Sequence, residues 1–244
     1  MTITALKNAT IIDGTGNKPI ENGLIVLEDD HILYVGKQAD WKPLEGVTSE
    51  EVDLTGKFIL PGLIDCHVHI AAECLPDSTM NGPWGWTTLV MLKHAQNTLS
   101  AGITTIRDVG GRHHLEFSLR KAVEAGMFAA PRMSLAGKLL SITSAGSEWY
   151  DGMYREADGV DEVRKAAREQ LKAGADLIKM LATGAVLTPG EKPGAAQFEQ
   201  EEIRAAVQEA AKVGKIVAAH AHGIEGIRNA VEAGAKTLSN MVPI

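Results

Sequence analysis

The sequence predicts an α/β fold: an incomplete (β/α)8 TIM barrel of about six strands, preceded by a small β unit. Three observations point there. From Phe58 onward, apolar strand-like runs alternate with helical-period stretches, the pattern of βα units around a parallel sheet. The helical stretches close on glycine just before the next strand. Polar residues cluster at or near the C-terminal ends of different strands, where a barrel builds its site. A doubly wound sheet would gather its ligand at a switch point, usually with a glycine-rich phosphate loop that this chain lacks.

Residues 1–57 read as the N-terminal part of a small composite β-sandwich domain, and residues 58–244 as the barrel. In the first segment, strands are expected over Ala9–Ile12, Gly23–Glu28 and His31–Val35. Asp13-Gly14-Thr15-Gly16 separates the first two, and Asp29-Asp30 between two alternating apolar runs reads as a hairpin turn. No segment here has helical period. Barrel strands are expected over Phe58–His69, Thr104–Val109, Arg132–Gly137, Leu177–Leu181, Ile216–His222 and Lys236–Asn240. Helices are expected over Thr87–Ser100, Glu116–Ala125, Val160–Ala173, Glu199–Val213 and Gly223–Ala233. Gly102, Gly126, Gly174, Gly214 and Gly234 supply the left-handed residue that ends each unit. In the first barrel run, Ile59, Leu60, Leu63 and Ile64 suit a strand buried on both faces.

A chain of 244 residues can bury a large core. The net charge of −7 argues against a nucleic-acid surface, and no block of like charge suggests a polybasic membrane contact. The start lacks the basic and apolar regions of a signal peptide, and no run is long enough to span a bilayer. A cytoplasmic protein is expected. Cys66 and Cys74 have neither CxxC spacing nor the density of a disulfide framework. Cys66 alternates with the neighbouring histidines and is expected as a packed core thiol.

His67 and His69 stand at i and i+2 of a strand and so share a face, which lets both grip one metal ion. Asp65 lies on that face two residues earlier. His220-Ala-His222 repeats the geometry on a later strand, again followed by glycine and a helix. Two such pairs on separate strands of one barrel point to metal binding; spacing alone leaves open which of His220 and His222 coordinates. Lys179, flanked by Ile178 and Met180, is either a lysine snorkelling to solvent or a buried neutral amine. Such an amine can add carbon dioxide to form a carbamate, whose two oxygens can bridge two divalent metals. Asp108 suits a role as acceptor orienting a ligand histidine, or as an ion-pair partner. His113-His114 read as an exposed loop pair, Trp84 and Trp86 as part of an ordered loop, and Ser144 and Ser147 as loop residues with no base partner.

These segments together resemble the amidohydrolase superfamily, in its branch of carbamate-lysine dipeptidases and imidazolonepropionase-like hydrolases. The matching text is Pro61-Gly-Leu-Ile-Asp-Cys-His-Val-His69, Ala101-Gly-Ile-Thr-Thr-Ile-Arg-Asp108, Ala175-Asp-Leu-Ile-Lys179, Ala182-Thr-Gly184 and Val217-Ala-Ala-His-Ala-His-Gly223. The resemblance implies that His67 and His69 hold one metal, and it calls for divalent metal and carbon dioxide as cofactors. It implies that Lys179 bridges as a carbamate, that His220 holds the second metal, and that His222 is a candidate for steering the substrate carbonyl or the leaving group. Zinc is the expected metal, and the substrate is a small molecule cleaved at a C–N amide bond, as in a dipeptide or N-acyl amino acid. A homo-oligomer is compatible with this reading.

The chain departs from the family pattern in two places. Relatives carry a further metal-binding histidine on the sixth strand within Glu-His-Gly, where this chain has Lys236-Thr-Leu-Ser-Asn-Met-Val-Pro-Ile244. The seventh and eighth strands, with the general-base aspartate, are expected beyond it. If Ser239 is encoded TCG and Asn240 AAC, reading from the last base of the serine codon restores Glu-His-Gly across Met241 and Val242. A truncated chain, ended by a frameshift and inactive or poorly soluble, is therefore one expectation. In the second place, Ser141-Ile-Thr-Ser-Ala-Gly-Ser147 replaces a glycine-rich loop with a histidine. The competing functions are a mononuclear deaminase or imidazolone hydrolase, and a non-catalytic metal-binding remnant.

Overall fold

The computed structural model describes residues 2–42, 48–72 and 82–239. Cys74 and the terminal Asn240–Ile244 segment lie outside the described residues. The chain divides into two compact units, Met1–Gly62 and Leu63–Ile244.

The first unit is a sheet of five strands: β1 (Ile3–Ile11), β2 (Ile20–Glu28), β3 (His31–Lys37), β4 (Ser49–Asp53) and β5 (Phe58–Ile59). Their order is β3-β2-β1-β4, with β5 also on β1. β2 and β3 form the hairpin expected at Asp29-Asp30, with Glu28 opposite His31 and Asp29 at φ 52°. β1 begins six residues before the expected Ala9. Its side-chain alternation breaks at Asn8, which takes φ 64° where the register with β2 shifts, so the two halves of the strand read as unrelated. Ile3, Ala5, Leu24 and Val26 form one core cluster, and Ala9, Ile11 and Ile25 another.

The second unit runs β6 (Leu63–Val68), α1 (Trp84–Ser100), β7 (Ile103–Asp108), α2 (Leu115–Glu124), β8 (Arg132–Leu135), β9 (Leu139–Ser141), α3 (Gly146–Trp149) and β10 (Tyr154–Glu156). It continues α4 (Gly159–Ala173), β11 (Leu177–Leu181), α5 (Gln200–Ala211), β12 (Ile216–His220), α6 (Ile224–Ala233) and β13 (Thr237–Ser239). The described residues thus supply the six expected strands of an incomplete (β/α)8 barrel, all pairing in parallel: β6-β7-β8 on one side, and β11-β12-β13 on the other with β9 and β10. Asp176 links the two groups, because its N–H donates to the Leu135 carbonyl at 2.7 Å while its carboxylate accepts the Leu135 N–H at 3.0 Å. Lys215 and Arg120 donate to the same carboxylate, so it ties α2 and the entry to β12 to that point.

The helices pack as their period predicts. α4 buries Val163, Ala166, Ala167 and Gln170, at i, i+3, i+4 and i+7, and its small alanines let the helix lie close over Ile178 and Met180. The five unit-ending glycines have φ between 68° and 103°, a region closed to most side chains.

Four expectations are corrected. Phe58–His69 is not one strand: Phe58-Ile59 pairs with β1 of the first unit, and the barrel strand starts at Leu63 after Pro61-Gly62. Nor is that strand buried on both faces, since Leu63 is 58% and Ile64 65% exposed; among the described residues β6 pairs only with β7. Cys66, on the same strand, is exposed rather than packed in the core. The tryptophans lie in a helix, not a loop, because α1 begins at Trp84. No described helix is long and apolar enough to cross a membrane.

Candidate metal centre

His67, His69, Lys179, His220 and His222 line one cavity of about 730 Å³. They arrive from three strands. His67 lies in β6 and His69 just past its end; Lys179 lies in β11; His220 closes β12, and His222 follows it. The His67 and His69 rings meet edge to face with centroids 5.4 Å apart, and those of His220 and His222 do so at 4.7 Å.

Backbone groups aim the rings. The Asp65 carboxylate accepts the His67 N–H at 3.0 Å, fixing the strand end. His69 Nδ1 lies 3.2 Å from the Gly110 carbonyl. A proton on Nδ1 satisfies that carbonyl and leaves the Nε2 lone pair for a cation, the arrangement common among metal-ligating histidines. The Gly184 carbonyl likewise hydrogen-bonds the His220 ring. Thr183 Oγ1 accepts the His222 N–H at 3.0 Å, while His222 Nδ1 is buried with no hydrogen-bond partner among the described residues.

Asp108 is fully buried. It accepts the Ile70 N–H and the Gly110 N–H, each at 2.9 Å, so it acts on His69 through the backbone on both sides rather than by touching the ring nitrogen. Burial pushes its carboxyl up, and the nearby His69 ring pulls it back.

Burial favours the neutral form of His67, His69, His220 and Lys179. Burial, followed by the Lys179 charge, lowers His67 to about 4 and His220 to about 3. Burial also lowers His69, against the pull of Asp108. Lys179 is 1% exposed, and burial holds its amine down to about 7, with the Arg107 charge adding to the effect. Its Nζ donates to Ser239 Oγ at 3.3 Å, so the lysine is buried rather than snorkelling.

Among the described residues no group of three or more His, Cys, Asp or Glu side chains gathers as a ready metal cage. The donors present nonetheless fit a divalent ion once Lys179 is counted. Neutral imidazoles with carbonyl-held rings are good ligands, and the Lys179 charge acts on His67, His69 and His220 alike.

Other singled-out residues fall away from this set. His113 and His114 are half-buried, not exposed: His113 Nε2 pairs with Asp151 at 2.9 Å and its ring stacks on Trp84, while His114 Nε2 bonds Gln170 at 2.8 Å. Ser144 and Ser147 donate to Glu191 and Glu156, each at 2.7 Å, as expected of loop-fixing hydroxyls. Tyr150, Met153, Tyr154 and Leu187, which also line the cavity, carried no signal in the sequence, because they come from loops and short elements that lack a readable period.

A strand-end cavity in an α/β barrel, lined by two His-x-His pairs and a buried lysine, defines an enzyme-type scaffold. The chain belongs to the amidohydrolase family, whose model matches residues 58–243. It is 31% identical to ochratoxinase from Aspergillus niger, over 98% of this chain and 54% of that protein. Among solved structures it resembles a prolidase complexed with N-methylphosphonate-L-proline, with TM-score 0.87 and 31% identity over 99% of this chain and 62% of that one. It also resembles a Xaa-Pro dipeptidase with bound methionine in the active site, with TM-score 0.86 and 30% identity over 97% and 61%. The chain spans about half the length of the curated relative it matches.

Proposed function

We propose that this chain carries part of the active site of a metal-dependent hydrolase that cleaves the C–N amide bond of a dipeptide or N-acyl amino acid. The observation that carries the reading is Lys179: a lysine 1% exposed, with its amine held near 7, on the cavity that four imidazoles share. Without a site for it to serve, a buried amine is a cost with no return. Similarity to a prolidase and a Xaa-Pro dipeptidase supports a peptide-like substrate.

In this reading His67, His69 and His220 are ligands, and Lys179 joins them as a carbamate. The neutral amine's lone pair forms the N–C bond to carbon dioxide, and one N–H proton leaves to water. Bound divalent metal, with zinc the expected ion, supplies a Lewis acid for the substrate carbonyl and an acidified water. Asp108 keeps His69 in register through Gly110 and Ile70. His222, with its buried Nδ1, orients the substrate carbonyl or the leaving group.

The test is metal content and carbamate together. Zinc-loaded chain supplied with 13C-bicarbonate should hold about two ions and show a carbamate carbon resonance, both reduced in Lys179→Met. Turnover of a dipeptide panel by the same preparation reads the activity. One tightly held ion with no carbamate signal would favour a mononuclear hydrolase instead.

A further inference from the structure

The cavity that the imidazoles share has a second lining, Tyr150, Met153, Tyr154, Val186 and Leu187, for which the chemistry above has no use. Tyr150 and Tyr154 stack with ring centroids 6.0 Å apart and planes 19° from parallel. This wall is tied in place from several directions. Gly146 lets α3 lie against the Tyr154 ring, which a Cβ there would meet at 2.7 Å. The Tyr150 hydroxyl donates to the Leu187 carbonyl at 3.3 Å. Glu191 accepts the Ala185 N–H and the Ser144 hydroxyl, each at 2.7 Å, and so anchors the start of the 185–188 segment.

The wall is apolar where folding does not require it. Val186 is 55% and Leu187 61% exposed, yet both line the cavity. Its charge is equally one-sided. Among the described residues that line the cavity there is no Arg, Asp or Glu, and those able to carry positive charge are Lys179 and the four histidines. The Glu191 charge acts on Tyr154, so an anionic group on the tyrosines would meet repulsion, with no guanidinium among the described lining residues to pair with.

We propose that the Tyr150/Tyr154 stack with Val186 and Leu187 forms a subsite for an uncharged aromatic or bulky aliphatic group attached to the scissile amide, in preference to a charged one. The proposal rests on the amide-hydrolase reading for what the rest of the cavity does.

The test is calorimetric binding to the zinc-loaded, full 244-residue chain, using N-benzoylglycinamide and N-succinylglycinamide as probes. Burying the ring should make the benzoyl amide bind about tenfold more tightly. Leu187→Asp and Val186→Asp, both at exposed positions and so compatible with the fold, should each erase most of that preference. Equal or tighter binding of the succinyl amide, no benzoyl binding at millimolar concentration, or a preference untouched in both variants overturns the proposal. Hydrolysis of the same probes separates the two readings. A retained benzoyl preference without cleavage supports the subsite and counts against amide hydrolysis by this chain on its own, whereas cleavage that favours the succinyl amide overturns the subsite alone.

Discussion

Lys179 on β11 donates a hydrogen bond to Ser239 on β13, spanning β12, with Nζ and Oγ 3.3 Å apart. The bond gives the buried amine one partner, and among the described residues no carboxylate supplies a counter-charge. Lys179→Met should therefore fold at least as stably as the native chain, by about 1 kcal/mol, since it replaces a buried polar group with an apolar one of similar length. The same variant should lose most of its stabilisation by added zinc. Thermal melts with and without the metal check both, and a strongly destabilised Lys179→Met would mean that the lysine is structural.

Asp108→Ala should be costly for a different reason. It leaves the buried N–H groups of Ile70 and Gly110 without an acceptor, at a cost of about 2–4 kcal/mol. Because Gly110 in turn holds the His69 ring, zinc affinity should fall about tenfold or more. Denaturant melts and competition with a chelator measure the two effects separately.

Glu116, on α2, is fully buried, and burial raises its carboxyl to about 8. The sign follows from which state binds the proton. Between the ordinary value near 4.5 and about 8 the folded chain holds a proton that the unfolded chain has released, so stability falls as pH rises across that window. Glu116→Gln removes the ionisation and should stabilise the chain at pH 7 by on the order of 3 kcal/mol, with little effect at pH 4. Urea midpoints at several pH values test this; parallel curves for the two proteins would refute it.

Gly223 follows His222, and a Cβ there would lie 1.9 Å from the Gly194 carbonyl oxygen. That neighbour is backbone and cannot swing aside. Gly223→Ala should destabilise the chain by about 2–4 kcal/mol and displace the segment carrying His222. A melting temperature within a degree or two of the native value would show that the segment yields.

Much of the barrel was legible because its signals are local and repeated. Helix period, glycine stops and strand-end polar residues fix α4, α5 and α6 to within a residue or two at most ends. Other features depend on partners remote in sequence. Nothing in Phe58-Ile59 announces that it pairs with β1, and nothing in Leu63-Ile64 announces that one side of β6 carries no described strand. The bulge at Asn8 hid half of β1 for the same reason. Within the candidate site, His67, His69, His220 and His222 stood out by spacing and Lys179 by its apolar flanks and the family resemblance, and the structure brings all five to one cavity. The tyrosine wall did not stand out, because α3 and β10 are short excursions without period.

The two-residue turn at Asp29-Asp30 has a consequence in time. Its strands meet after closing a minimal loop, whereas each pair of parallel barrel strands must first bring together residues separated by a helix. Amides of β2 and β3 should therefore gain protection from exchange early in refolding, before those of β11 and β12. The order in which the chain becomes structured would follow the cost of closing its loops, with the lysine and its imidazoles assembled last.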